Sequence, residues 1–232
     1  MIFGGLQKNS FIDYPGKVSC VLFLSGCNFE CPYCHNPELI KGKASCSTLA
    51  DEKVHFDYLD KRKSFLDGVV ISGGEPTINK DLPHLCEKIK QMGYSVKLDT
   101  NGSRPQELKR LIDDGLVDYI AMDIKTEPFH YTSLVKSDCH PDNLIKSILV
   151  IMESTLGYEF RTTCVKPLVN AQMIENIAKI IEGAELYALQ TFNNTKVLNP
   201  DFFCESRGDY EEGWLTHLKS IADPWVQKCI IR

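Results

Sequence analysis

Apolar residues recur along this chain in two rhythms. Short runs rich in β-branched and aromatic residues at Val18–Leu24, Gly68–Ile71, Ser95–Leu98, Tyr119–Met122, Tyr158–Thr163 and Glu185–Leu189 each read as a buried strand. Between them the spacing becomes helical. Leu82, Leu85, Cys86 and Ile89 fall at i, i+3, i+4 and i+7 with Gly93 as the stop. Leu108, Leu111 and Ile112 precede Gly115 in the same way, and Ile174, Ile177, Ala178 and Ile181 precede Gly183. Leu144, Ile145, Ile148, Leu149 and Met152 form another stripe. A less regular helix is expected in Asp51–Phe65, and a last one around Trp214, Leu215, Leu218 and Ile221. Alternating β and α units predict a parallel sheet with right-handed crossovers. A closed (β/α)8 barrel takes about 250 residues. The six units found here therefore predict an α/β fold of the incomplete (β/α)6 barrel type.

Nothing in the chain suggests a linker, charge block or repeat. One domain over 1–232 is expected, with a core of about 18–195 and an extension at 196–232. The polar segments have one place in that fold. Ser25–Asn36, Ser72–Pro76, Asp99–Gly102, Asp123–Thr126, Arg161–Thr163 and Gln190–Asn193 each follow or end a strand. In a parallel barrel those positions share the carboxyl-end rim, where such folds build active sites.

Composition narrows the possible chemistry. A net charge of −5 argues against a nucleic-acid or anionic-membrane surface. No apolar run is long enough to span a bilayer. The first residues carry neither a basic n-region nor an apolar h-region, so a cytoplasmic protein is expected. The ten cysteines fall below the roughly 8–10% that marks a disulfide scaffold, so they are expected as thiols or metal ligands. Three of them are clustered as Cys27-x3-Cys31-x2-Cys34. Zinc would need a fourth ligand, from His35 or Cys46, in a zinc-stabilised binding module. An iron–sulfur cluster would keep one iron without a protein ligand, whereas electron-carrier clusters take four cysteines. The spacing alone leaves both readings open.

This loop, with aromatic Tyr33 just before Cys34, resembles the signature of radical S-adenosylmethionine (SAM) enzymes. The resemblance extends to Gly73-Gly74-Glu75-Pro76, Asp99-Thr100-Asn101-Gly102 and Met122-Asp123-Ile124-Lys125. Gly5-Leu6-Gln7-Lys8, Asp13-Tyr14-Pro15-Gly16-Lys17 and Cys31-Pro32-Tyr33-Cys34-His35-Asn36-Pro37 are more specific. They are similar to activating enzymes of glycyl-radical enzymes, closest to those of anaerobic ribonucleoside-triphosphate reductase. The match covers about residues 1–195.

The resemblance implies one [4Fe–4S] cluster on Cys27, Cys31 and Cys34, with SAM chelating the unique iron. Reductive cleavage of SAM then gives a 5′-deoxyadenosyl radical, which makes a glycyl radical on a partner enzyme. It also implies anaerobic activity, a reduced flavodoxin or ferredoxin as electron donor, and a chain that is monomeric when free. Only Cys46 lies in Ile40–Gly68, which suggests a short, single-cluster form. A small-molecule radical SAM enzyme, such as a 7-carboxy-7-deazaguanine synthase, is the rival.

For the SAM site the resemblance implicates Gly73, Gly74 and Glu75 at the methionyl amino group, and Tyr33 with the Tyr33–His35 backbone at the adenine. It also assigns Asp123 and Lys125 to SAM. Gly-Gly-Glu-Pro also reads as a plain turn that stops a strand. Asp99, Thr100, the Met122 carbonyl and Asp123 are implied ligands of a monovalent cation, while as sequence the two aspartates also suit helix caps. Arg161 would reach SAM, the substrate loop or a surface partner. Gln190 stands where related activases carry a histidine. Hydrogen abstraction by a radical calls for no acid–base residue, so Glu75 and His35 are assigned none.

Overall fold

The computed structural model describes residues 1–40, 52–135, 140–166, 168–192, 197–203 and 213–232. One eight-stranded sheet organises them: β1 (Phe3–Ser10), β2 (Ser19–Leu24), β3 (Gly68–Gly73), β4 (Ser95–Thr100), β5 (Tyr119–Asp123), β6 (Gly157–Cys164), β7 (Tyr187–Thr191) and β8 (Cys229–Ile231). The strands lie side by side in chain order, so β1 and β8 form the two edges. β1 is antiparallel to β2, and every later pairing is parallel. The helices are α1 (Pro37–Ile40), α2 (Glu52–Asp60), α3 (Leu82–Gln91), α4 (Pro105–Asp113), α5 (Tyr131–Val135), α6 (Pro141–Met152), α7 (Ala171–Ile180) and α8 (Trp214–Ala222).

The six predicted strands are β2–β7, and the sheet is the open parallel one expected of an incomplete barrel. Both edge strands are additions. β1 has two glycines and four polar residues, so no apolar run marks it. β8 has three residues, too few for a pattern. β8 brings part of the expected 196–232 extension into the sheet. The last predicted strand is shifted: Glu185 is exposed and lies before β7.

Strand alternation sorts side chains between two faces. Val96, Leu98, Ile120, Met122, Tyr158 and Phe160 belong to the large core that the helices cover. The opposite, inner face holds a small apolar cluster of Tyr14, Val21 and Val70, with Phe23 and Tyr119 against it. Lys97, Asp99, Asp123, Glu159 and Arg161 alternate onto this inner face. The helical stripes match the burial of α3 through Leu82, Leu85, Cys86 and Ile89. α6 differs, because Leu149 is exposed and Ser147 is buried in the stripe instead. The Ser147 hydroxyl donates to the Gly102 carbonyl at 2.6 Å, so this polar residue steadies the loop after β4. No helix among the described residues is long and apolar enough to cross a membrane.

Leu98 is fully buried between the inward-facing Lys97 and Asp99. Leu98→Ala is expected to lower unfolding free energy by about 2–5 kcal/mol, read as a lower urea midpoint. A loss below about 1 kcal/mol would contradict this packing.

Candidate active site

β2 runs directly into the cysteine loop. Cys27, Cys31 and Cys34 are free thiols on the wall of one open cleft at the carboxyl ends of the strands. The cavity in the cleft has a volume of about 210 Å³. Tyr33, His35, Gly73, Gly74, Asp99, Thr100, Asp123, Lys125 and Arg161 also line it, as do Ser72, Asn101 and Thr163. Burial pushes the thiol of Cys27 up to about 12 and that of Cys31 to about 11, and raises Cys34 as well.

Two glycines let the neighbouring turn approach this loop. Gly73 has φ +122°, and a Cβ there would stand 2.3 Å from the Leu24 carbonyl oxygen. A Cβ on Gly74 would stand 2.0 Å from the Gly26 carbonyl oxygen. Main-chain bonds take up that contact: Gly74 N–H donates to Leu24 O at 2.9 Å and Glu75 N–H to Gly26 O at 2.8 Å. The glycine pair is therefore needed for contact between protein segments, in addition to any ligand.

Glu75 is fully buried, and both its oxygens are occupied. Oε1 accepts from Thr77 N–H (3.1 Å), Thr77 Oγ1 (2.5 Å) and Thr100 Oγ1 (2.8 Å), while Oε2 accepts from Asn101 N–H (2.6 Å). Burial raises its pKa against these bonds. Its carboxylate joins the turn after β3 to the loop after β4 and does not line the cleft. The loop after β4 in turn grips the cysteine loop. Asn101 Nδ2 donates to Asn28 Oδ1 at 3.0 Å, and Asn28 Nδ2 donates to Ser103 Oγ at 2.9 Å.

Asp123 ends β5, Asp99 lies one residue before the end of the adjacent β4, and neither caps a helix. Arg161 lies between them, with Nε 2.8 Å from Asp123 and Nη1 3.4 Å from Asp99. Lys97, only 1% exposed, is 2.6 Å from Asp99, and Lys125 is 3.4 Å from Asp123. Burial works against both carboxylates, yet Arg161 with Lys97 holds Asp99 below its usual range, and Arg161 with Lys125 holds Asp123 at about 2. Burial likewise opposes the charge on Lys125, but Asp123 outweighs it and raises its pKa. Arg161 is thus an interior bridge, and the expectation of a surface partner fails. Its guanidinium already supplies positive charge between the two carboxylates. Thr100 directs its hydroxyl to Glu75, and the Met122 side chain packs outward against Gly102.

Tyr33 is buried, its ring edge-on to Phe192 at 6.4 Å between centroids. Its hydroxyl has no hydrogen-bond partner among the described residues. His35 is exposed, with its ring 5.4 Å from Phe192. Gln190 pairs with Thr163 in the β6–β7 ladder but is not among the cleft-lining residues. Cys46 lies outside the described residues. Sequence reasoning missed Asn28, Lys97 and Phe192. Lys97 had a signal, since i, i+2 spacing from Asp99 puts both on one face. Asn28 had none, because its partners lie more than seventy positions away.

The donor set suits an iron–sulfur group with one open coordination position. Three thiols share a cleft with the charged Asp99, Asp123, Lys125 and Arg161 and with the apolar Phe29 and Ile40. No group of three His, Cys, Asp or Glu side chains among the described residues is focused on a single-ion site. A multi-iron cluster makes no such demand, because each thiolate takes a separate iron.

A methyl group at Gly74 would push the cysteine loop off the turn. Gly74→Ala is expected to fold but to keep well under the wild-type iron and labile sulfide after anaerobic reconstitution. Wild-type iron content in that variant would refute the close approach as a requirement of the site.

Comparisons with known proteins agree with this geometry. The Radical SAM superfamily profile matches residues 21–182. A Methanocaldococcus jannaschii protein named as a glycyl-radical enzyme activating enzyme is 34% identical over 100% of this chain and 95% of its own length. A 7-carboxy-7-deazaguanine synthase of Haemophilus influenzae is 30% identical over 67% of this chain and 63% of its own. The structure of Streptococcus suis SuiB bound to S-adenosylmethionine superposes with a TM-score of 0.66 at 14% identity, over 91% of this chain and 51% of that one. The chain belongs to the radical SAM superfamily, among the glycyl-radical enzyme activating enzymes.

Proposed function

We propose that this chain cleaves SAM reductively and generates a glycyl radical on a partner enzyme, with anaerobic ribonucleoside-triphosphate reductase as the first partner to test. The observation that carries the reading is the joint placement of three free thiols and the Asp99–Arg161–Asp123 bridge on one cleft. Cys27, Cys31 and Cys34 would hold a [4Fe–4S] cluster. When bound, cluster and SAM together supply a reductive carbon–sulfur cleavage that yields a hydrogen-abstracting radical.

The remaining roles belong to the chain's own groups. Main-chain groups of Gly73 and Gly74, at the rim, would receive the methionyl amino group. Lys125 and Arg161 would neutralise the SAM carboxylate, and Asp99 and Asp123 hold those two cations in register. Glu75 orders the turn and the loop from behind. His35, backed by Phe192, offers a flat face for the adenine, and the main chain of Tyr33–His35 offers it polar edges. Arg161 also bears on the monovalent cation. It already bridges the two carboxylates, so a bound cation would have to displace it or share Asp99 and Asp123 with it. A reduced flavodoxin or ferredoxin would supply the electron.

Anaerobic mixing of reconstituted protein with SAM, dithionite and the reductase is expected to give 5′-deoxyadenosine and a glycyl-radical signal in electron paramagnetic resonance. Arg161→Gln and Lys125→Met should each weaken SAM affinity about tenfold, the scale of one charge-assisted hydrogen bond. SAM cleavage with no glycyl radical on reductase or formate-lyase partners would exclude the activase. Turnover of a compact nucleobase precursor would then favour the synthase reading, which the two-thirds match to 7-carboxy-7-deazaguanine synthase supports.

A further inference from the structure

Below the cleft, the inner face of β6 carries another carboxylate. Glu159 is fully buried and lies two residues before Arg161, on the same side of the strand. Its partner comes from the far edge of the sheet. Arg232 Nη1 donates to Glu159 Oε1 at 3.0 Å, and Nη2 lies 2.7 Å from Oε2 as an ion-pair contact. The main chain of Arg232 is fixed by β7. Its N–H donates to Leu189 O at 2.9 Å, and its carbonyl accepts from Thr191 N–H at 2.7 Å. Sheet pairing therefore delivers this guanidinium to a set place.

We propose that Glu159 and Arg232 form a positioning pair for Arg161. The proposal rests on the reading of the cleft as a SAM site. Arg161 has three carboxylates within its electrostatic reach: Asp123, Asp99 and Glu159. Only the first two lie on the cleft wall. Arg232 takes up the charge of Glu159 from the opposite side, which leaves Arg161 to bridge Asp99 and Asp123. Without Arg232, a buried carboxylate beside Arg161 would compete for the same guanidinium. Tyr119, on β5 between them and β4, adds no charge to this balance, since burial and Glu159 keep its phenol protonated. A buried ion pair is poor evidence for stability by itself, because apolar side chains can replace one without loss. Here, removal of one charge should disturb the cleft, and removal of both should restore it.

The test is equilibrium dialysis of SAM against anaerobically reconstituted protein, with a thermal melt of each variant. Arg232→Met is expected to raise the SAM Kd about tenfold, or about 1.4 kcal/mol. Arg232→Lys, and the double variant Glu159→Gln with Arg232→Met, are expected to stay within about threefold of wild type, under 0.7 kcal/mol by the same conversion. An unchanged Kd in Arg232→Met overturns the proposal. So does a double variant as weak as Arg232→Met, which would assign the loss to packing of the arginine stem. If Arg232→Met does not fold, the double variant decides: a Kd near wild type supports the pair, while a tenfold loss or failure to fold overturns it. A wild-type protein that binds no SAM overturns the cleft reading, and this proposal with it.

Discussion

Two carboxylates on neighbouring strand ends, facing the same interior, cannot both stay ionised without fixed positive charge between them. Asp99 and Asp123 set that condition here, and Arg161 meets it from the next strand along. The register makes the arrangement compulsory: Asp123 lies opposite Arg161 in the β5–β6 ladder, and Asp99 lies opposite Ala121, whose small side chain leaves room across β5. A shift of one residue would turn Arg161 outward into the helix-facing core. Sheet register, charge state and cleft shape are thus one constraint.

The loops obey a second constraint, because backbone exposed at strand ends must find partners. The turn after β3 binds the cysteine loop through main-chain bonds made possible by Gly73 and Gly74. It binds the end of β4 and the loop after it through two acceptor contacts of Glu75, from the Thr100 hydroxyl and the Asn101 N–H. Asn28 and Asn101 close the circuit. Three segments distant in sequence therefore hold one another, and the cysteines sit on a framework rather than on a free loop. Glu75 shows why a motif residue need not touch a ligand: its buried oxygens are already committed.

Much of the fold was legible because its signals are local. The stripe in α3 and the apolar runs of β2–β7 each lie within one window of residues. The edges were not, since β1 has two glycines and four polar residues and β8 is only three residues long. The cysteine loop was legible from spacing, but its chemistry came from resemblance, since the spacing left zinc and iron–sulfur readings open. Lys97 and Lys125, each two residues from Asp99 or Asp123, were legible as same-face neighbours, but the bridge between the two aspartates was not. Helix capping and a shared cation both fitted the sequence, while an arginine from β6 enters only through strand order. Glu159 and Arg232, seventy-three positions apart, carry no sequence signal of their pairing.

The extent of the superfamily match adds a last step. It runs over residues 21–182, from within β2 to the end of the α7 segment. It therefore takes in the cysteine loop, the Gly73–Glu75 turn and the Asp99–Asp123–Arg161 bridge, and leaves out β1, β7 and β8. The outer elements are the two edges of an open sheet and the strand next to one of them. The cleft-wall carboxylates and Arg161 therefore lie on matched strands, while Arg232 follows the unmatched edge strand β8. On the inner face this chain sets Glu159 against Arg232, a residue delivered by the edge strand itself. Main-chain bonds to β7 hold Arg232 in place, and its side chain, by reaching Glu159, ties the unmatched edge of the sheet to the matched strand that carries Arg161.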